Sequence, residues 1–155
     1  VPDLLIMGKS FGGGLPAGLL AGTDEILGNW SKGVQTSTFQ LHPIAAAASN
    51  AFLKILCEQN LLENCKMIES WCRKEFAALE EKLHVVDVRG IGAFWVIEID
   101  CPEKAKFFRQ SALKNGLLTW ECGVEGNCIG LVPPLIVDKH HIKEAKKILQ
   151  LALTT

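Results

Sequence analysis

Residues 1–22 read VPDLLIMGKSFGGGLPAGLLAG, an apolar run that delivers one lysine, Lys9, to the edge of a glycine-rich turn. Four apolar residues without alternation, Leu4 to Met7, predict a short strand buried on both faces, as in a sheet covered by helices. Lys9 then stands at the end of a strand. Gly12, Gly13 and Gly14 permit backbone conformations closed to residues with a Cβ, which allows a tight turn or close approach to a ligand. Pro16 and Gly18 close the turn before a second apolar run, residues 19–21.

Three chemistries compete for Lys9. A solvated lysine at a strand end is the ordinary outcome. A phosphate-binding P-loop is suggested by Gly8, Lys9 and Ser10, but that motif needs a glycine five residues before Gly8, where Asp3 stands, and here the glycines follow the lysine. A Schiff-base lysine is the third. Its amine must lose its proton to attack an aldehyde, which a partly desolvated place beside a cofactor favours.

The composition narrows the setting. The chain has 155 residues, 48% of them hydrophobic, and a formal charge of −1, enough apolar content to bury a core. Acidic and basic residues nearly cancel and no basic stripe occurs, so there is no electrostatic case for nucleic acid. No apolar run approaches a membrane span of ~20 residues and no signal peptide opens the chain, which points to no membrane and a cytoplasmic setting. Of six cysteines, Cys57, Cys65 and Cys72 fall in helical patterns and none forms a C-x-x-C pair, so free thiols are expected. No metal site is expected: Cys122 and Cys128 lack a histidine at zinc-ligand spacing, and the adjacent His140 and His141 point apart.

Along the chain, Thr23 is placed to cap a short helix over 23–30, with Asp24 and Glu25 in its first turn. Pro43 suits the first position of a helix running to about Glu58, whose Ala45 to Ala48 either give it a thin side that admits another helix or a cofactor-bearing loop, or simply favour the helix. Asn60 and Glu63 have capping-box spacing and open a helix over 60–83. Its stripe is Leu61, Leu62, Cys65, Ile68, Trp71 or Cys72, Phe76 and Leu79. Residues 85–99 are β-branched and aromatic with glycine breaks, predicting one bent or bulged strand. A helix from Pro102 ends at Gly116. Strands over 117–121 and 128–131 flank a glycine-rich turn. Asp138 caps a last helix whose buried stripe is Ile142, Ala145, Ile148, Leu149 and Leu153. The order suits the end of an α/β domain over 1–59 and an α+β domain over 60–155.

Four segments together resemble the class III aminotransferases. The first is Asp3-Leu4-Leu5, Gly8-Lys9 and Gly13-Gly14-Leu15-Pro16-Ala17-Gly18, similar to that family's pyridoxal-phosphate lysine segment. The second, residues 36–43 with the alanine run after them, resembles its Thr-Thr-Phe-Gly-Gly-Asn-Pro segment. The third is Val88-Arg89-Gly90-Ile91-Gly92, and the fourth Leu131-Val132-Pro133-Pro134-Leu135. They occur in the family's order and span the chain. The resemblance implies a type I pyridoxal-phosphate-dependent transferase fold, with the end of the large α/β domain followed by the small C-terminal α+β domain. It further implies that an N-terminal portion, supplying the phosphate cup, the ring-stacking aromatic and the aspartate at the pyridine nitrogen, is required in addition.

Carried over residue by residue, the resemblance makes Lys9 the catalytic lysine that holds pyridoxal 5'-phosphate and shuttles a proton. Ser37 and Thr38 become cofactor-binding, with the Thr38 hydroxyl and N–H reaching the phosphate of the other subunit. That arrangement implies a homodimer with the active site at the subunit interface, acting on an amino donor and a 2-oxo acid. Arg89 matches an arginine that chiefly holds the small domain's strand. Two departures stand out. Gln40, Leu41 and His42 replace Gly-Gly-Asn, and Gly130 occupies the place of a carboxylate-binding arginine, or of the lysine in the diaminobutyrate branch that residues 116–123 resemble. Either the carboxylate is held elsewhere, or the substrate is not an ordinary α-amino acid, or activity is lost. The expected function is transfer of an amino group between an amine or ω-amino acid and a 2-oxo acid. The alternatives are a non-catalytic assembly partner, and a racemase or aminomutase with the same cofactor.

Overall fold

The computed structural model describes residues 2–38, 40 and 42–154. The chain divides into two compact units, Val1–Asn60 and Leu61–Thr155.

In the first unit, β1 (Leu4–Met7) and β2 (Leu19–Gly22) form an antiparallel hairpin, with Leu4 opposite Gly22 and Met7 opposite Leu19. A single 3-10 turn, Lys9–Gly12, follows β1. The strand lies where its apolar run predicts, but it is not buried: Ile6 is 80% exposed. The reason is that β2 is its only sheet partner among the described residues, and a two-stranded ribbon leaves both faces open. Helix α1 is only Asp24–Leu27, and Thr23 at its start makes no side-chain cap. Helix α2 (Pro43–Glu58) begins at Pro43 as the missing N–H of proline favours. Its thin side receives the glycine turn: Gly13, at φ 59, is so close that a Cβ there would lie 3.2 Å from the carbonyl oxygen of Ala48.

The second unit opens with α3 (Leu61–Phe76), extended by a 3-10 turn, Ala77–Leu79. Asn60 does not take the extended conformation of an N-cap. At φ 50 it is left-handed, with its N–H on the Cys57 carbonyl, so it terminates α2 in the manner of a helix C-terminus. The helix also ends well before Leu83, and Leu62 is 62% exposed, outside the buried stripe.

Residues 85–99 form two strands, not one bent strand. β3 (Val85–Ile91) and β4 (Phe94–Ile99) are paired antiparallel, with a register shift between Val85 and Asp87. Gly92, at φ 56, makes the reversal between them, a conformation glycine reaches without steric cost. Helix α4 (Pro102–Lys114) ends ahead of the left-handed Gly116. β5 is shorter than its apolar run, Trp120–Cys122, and pairs with β6 (Cys128–Leu131). The sheet order is β3-β4-β6-β5, antiparallel throughout. Helix α5 (Lys139–Ala152) starts at a capping box in which the Asp138 side chain accepts from the N–H groups of His140 and His141.

The core of this unit is one layer of helices on one face of the sheet. Trp95, Ile97, Ile99, Ile129 and Leu131 from the strands meet Ile68, Cys72 and Phe76 of α3, Phe108 of α4, and Ile142 and Leu149 of α5. Alternation along each strand sends the other residues to the opposite face. The Trp95 ring packs edge-on to Phe76 at 5.9 Å while its N–H donates to the Gly92 carbonyl at 3.0 Å, so an indole is buried with its one donor satisfied. The buried Glu75 of α3 pairs with Lys146 of α5 at 3.1 Å, and that ammonium holds its carboxyl below the usual range. Among the described residues no helix is long and apolar enough to cross a membrane.

Candidate active site

Lys9 lies one residue beyond β1, after Gly8, and opens the 3-10 turn, in which Phe11 N–H donates to the Gly8 carbonyl at 3.1 Å and Gly13 N–H to the Ser10 carbonyl at 2.9 Å. Its backbone is left-handed, φ 55. For a residue with a Cβ this conformation costs about 1–2 kcal/mol, and such residues concentrate at functional sites. The turn presents the lysine outward: the side chain is exposed, and among the described residues its amine makes no hydrogen bond or ion pair.

The first unit also carries a half-open cavity of about 620 Å³. Its apolar wall includes Phe11, Leu20, Trp30 and Ala45, and its polar groups come from Gln35, Ser37, Gln40, His42, Ser49 and Asn50. Ser37 therefore lines this cavity, whereas Lys9 and Thr38 do not. Thr38 is exposed in the turn ahead of α2, a turn closed by the Gln40 N–H on the Ser37 carbonyl at 3.1 Å. Two residues of the second family segment, Phe39 and Leu41, lie outside the described residues.

Ser49 was not legible as a site residue. Its hydroxyl is buried at 5% exposure without a partner among the described residues, which leaves a donor and acceptor available at the cavity wall. The only signal in the sequence is that Ser49-Asn50 interrupts an otherwise small and apolar helix face. The cavity's donor set suits a phosphate in part, through the Ser37 and Ser49 hydroxyls and the Gln35, Gln40 and Asn50 amides, while the Lys9 amine that would meet an aldehyde lies outside its lining. Among the described residues the cavity wall contains no carboxylate to meet a protonated ring nitrogen.

In the second unit, Arg89 is held by its strand neighbours. Its guanidinium donates to Asp87 and to Glu98, both at 2.6 Å, and these hydrogen bonds push its pKa up further. It is a structural arginine with its donors directed at carboxylates. On the same face of the sheet Gly130 is buried beneath Trp120, and Trp120 packs edge-on to Phe94 at 5.5 Å. The position that lacks a basic side chain is thus filled by an indole. A separate groove of about 590 Å³ in this unit is lined by Phe76, Leu118 and Ile148 and by Leu131 and Pro133 of the fourth family segment, and carries none of the candidate cofactor-binding residues Lys9, Ser37 and Thr38.

Comparison with known proteins decides the family: residues 1–153 match the family described as aminotransferase class-III. The chain belongs to the class III aminotransferases. It is 33% identical over 149 residues to ornithine aminotransferase 1 of Staphylococcus saprophyticus, covering 96% of this chain and 36% of that one. It is 34% identical over 151 residues to acetylornithine aminotransferase of Methanosarcina acetivorans, covering 97% and 36%. Among solved structures, acetylornithine aminotransferase from Elizabethkingia anophelis superposes with a TM-score of 0.90 at 29% identity, over 99% of this chain and 39% of that one. This class III chain therefore spans little more than a third of the curated relatives it matches, and its fold is the corresponding part of the pyridoxal-phosphate-dependent transferase fold. Class III aminotransferases are pyridoxal-phosphate enzymes.

Proposed function

We propose that this chain forms part of a pyridoxal-phosphate-dependent aminotransferase that moves an amino group between an amine or ω-amino acid and a 2-oxo acid. The observation that carries the reading is Lys9: a strained, left-handed lysine at a strand end, whose amine has no partner among the described residues, in the segment that resembles the family's lysine segment. Residues 1–59 belong in this reading to the cofactor-binding large domain and 60–155 to the small domain. The cofactor, when bound, supplies the electron sink for cleavage of a bond at the substrate α-carbon.

The chain's own residues supply attachment and proton transfer. Lys9 Nζ would hold the cofactor, and as a free amine it would take and return the proton at the substrate α-carbon. In this reading the hydroxyls of Ser37 and Thr38 would donate to phosphate oxygens, with Thr38 serving the site of a second copy in a homodimer. An N-terminal portion of the enzyme completes the cup and the carboxylate partner of the ring nitrogen. Gly130 under Trp120 favours a donor that is not clamped by a basic residue of β6, which fits an amine or the far end of an ω-amino acid better than an ordinary α-amino acid.

Reduction with borohydride after incubation with pyridoxal phosphate tests this directly, by intact mass and peptide mapping. The expected result is one reduced-cofactor adduct on Lys9, absent in Lys9→Ala. An adduct that forms only when the chain is combined with the upstream polypeptide still supports the reading, with this chain as one part of the site. No adduct under either condition rejects it in favour of a non-catalytic assembly partner. Transfer of labelled nitrogen from an amine to a 2-oxo acid then separates an aminotransferase from a racemase or aminomutase, which passes none to an external acceptor.

A further inference from the structure

Cys122 and Cys128 are direct partners across the β5–β6 ladder, so their side chains stand on the same face of the sheet. Opposed residues of antiparallel strands have Cα atoms about 4.5–5.5 Å apart, within the roughly 4.4–6.8 Å that a disulfide spans. Their Cβ atoms, about 4.5–5.5 Å apart in such pairs, need to approach by about 1 Å to reach disulfide geometry. The turn between them has room to adjust on the Cys122 side: Gly123 and Gly126 are left-handed, at φ 84 and φ 74, and joined by the Gly126 N–H on the Gly123 carbonyl at 3.2 Å, while Asn127 is anchored to Ile99 by the Ile99 N–H on its carbonyl at 2.9 Å and its Nδ2 on the Ile99 carbonyl at 3.1 Å.

The two thiols differ in access. Cys122 is partly exposed, and Cys128 is 3% exposed with its thiol 3.7 Å from the Asn127 side-chain oxygen. The Cys128 sulfur lies beside Gly123, the residue after Cys122, where an added Cβ would be 2.9 Å from it. Neither sulfur has a role in the site described above, and both are free.

We propose that Cys122 and Cys128 form a reversible intrachain disulfide that clamps the β5–β6 turn, with Cys122 as the entering thiol and Cys128 as the resolving thiol. With a small-molecule disulfide as oxidant, the Cys122 thiolate attacks one sulfur and expels one thiolate, leaving a mixed disulfide on Cys122. The Cys128 thiolate then attacks the Cys122 sulfur and expels the second. The two protein thiols are oxidised and lose two hydrogens; the oxidant is reduced to two thiols. Burial and the adjacent Cys128 sulfur push the Cys122 thiol up, so thiolate is scarce at neutral pH and the first step is slow. The clamp lies two residues from Trp120 and Gly130, at the end of the same sheet face, and stiffens the hairpin that carries them.

The test is oxidation of the chain with oxidised glutathione, acid quenching, intact mass and a non-reducing peptide map. The expected product has lost two hydrogens, contains a Cys122–Cys128 crosslink, and returns to the starting mass with dithiothreitol. Cys128→Ser should stop at a glutathione adduct on Cys122. Cys72, fully buried with its thiol pushed up to about 12 by burial, should remain unmodified as an internal control. A wild-type chain that accumulates the same unresolved adduct as Cys128→Ser, or keeps both thiols open to alkylation after oxidation, overturns the proposal.

Discussion

Trp120 and Gly130 face each other across the β5–β6 ladder, and the indole lies so close that a Cβ on Gly130 would be 2.4 Å from its Cε2 atom. Any side chain at position 130 therefore competes with Trp120 for the same space. Gly130→Ala should destabilise the wild-type chain by about 1–3 kcal/mol, the cost of overpacking, and much less in a Trp120→Ala background. Urea denaturation of the two single variants and the double variant measures this as a coupling. Equal costs in both backgrounds would show that the indole is not what excludes the side chain. A basic residue at 130 then requires two changes, which is why its absence here is a property of the pair.

Asn64 of α3 ties the loop before α5 to the helix layer: its Nδ2 donates to the carbonyls of Leu135 and, at 3.2 Å, of Val137. Asn64→Ala strands two partly buried acceptors, which should cost about 1–3 kcal/mol. The denaturation midpoint should fall with little change in slope. A midpoint equal to wild type would show that water replaces the amide.

The Asp138 carboxylate, at the start of α5, accepts from His140 N–H at 2.8 Å, from His141 N–H at 3.2 Å and from the His141 ring at 2.8 Å. The His141 N–H, then its ring, holds the carboxyl below the usual aspartate range. A carboxyl with a depressed folded-state pKa contributes stability that is present above the unfolded value of about 3.9. That contribution is lost as pH falls through the folded value. Asp138→Ala should therefore lower the melting temperature at neutral pH, and the gap to wild type should close as the pH is taken below about 4. A gap independent of pH would remove the charged cap as its cause.

Lys9 holds a left-handed backbone that glycine adopts freely. Lys9→Gly should match or exceed the wild-type melting temperature, while the β-branched Lys9→Val falls below it, and neither should take up a reducible pyridoxal adduct. Stability gained at a residue lost for chemistry is the usual signature of a strained functional position. An equal fall in both variants would place the stabilising contribution in the lysine side chain.

The β1–β2 hairpin exposes Leu4 and Leu5 at 45% each and Ile6 at 80%, with a free backbone edge on a ribbon of only two strands. Such an edge templates further pairing. Sedimentation velocity on the isolated chain should show concentration-dependent association, reduced by Ile6→Lys. A monodisperse monomer at high concentration would count against it.

Element type was legible wherever a local signal decides it. Pro43, Pro102 and Asp138 mark helix starts because a missing N–H or a capping carboxylate acts within one turn, and the observed helices begin at these places. The reversal at Gly92 was not legible. Residues 85–99 are apolar enough for one strand, and only the pairing of Arg89 with Val96 and Gly90 with Trp95 shows that the segment folds back on itself. The exposure of β1 was equally hidden, because four apolar residues report what a strand prefers and not how many neighbours it has.

By itself the sequence determined the starts of α2, α4 and α5, the family segment around Lys9 and the absence of a basic residue at 130, since each is carried by residues adjacent along the chain. Only the tertiary structure decided that Gly130 lies under Trp120, that Cys122 meets Cys128, that Asn64 reaches residues 71 and 73 positions away, and that the Ser49 hydroxyl is buried without a partner among the described residues. Those relationships depend on strand register and helix packing, and both are set by contacts between segments that no local pattern encodes.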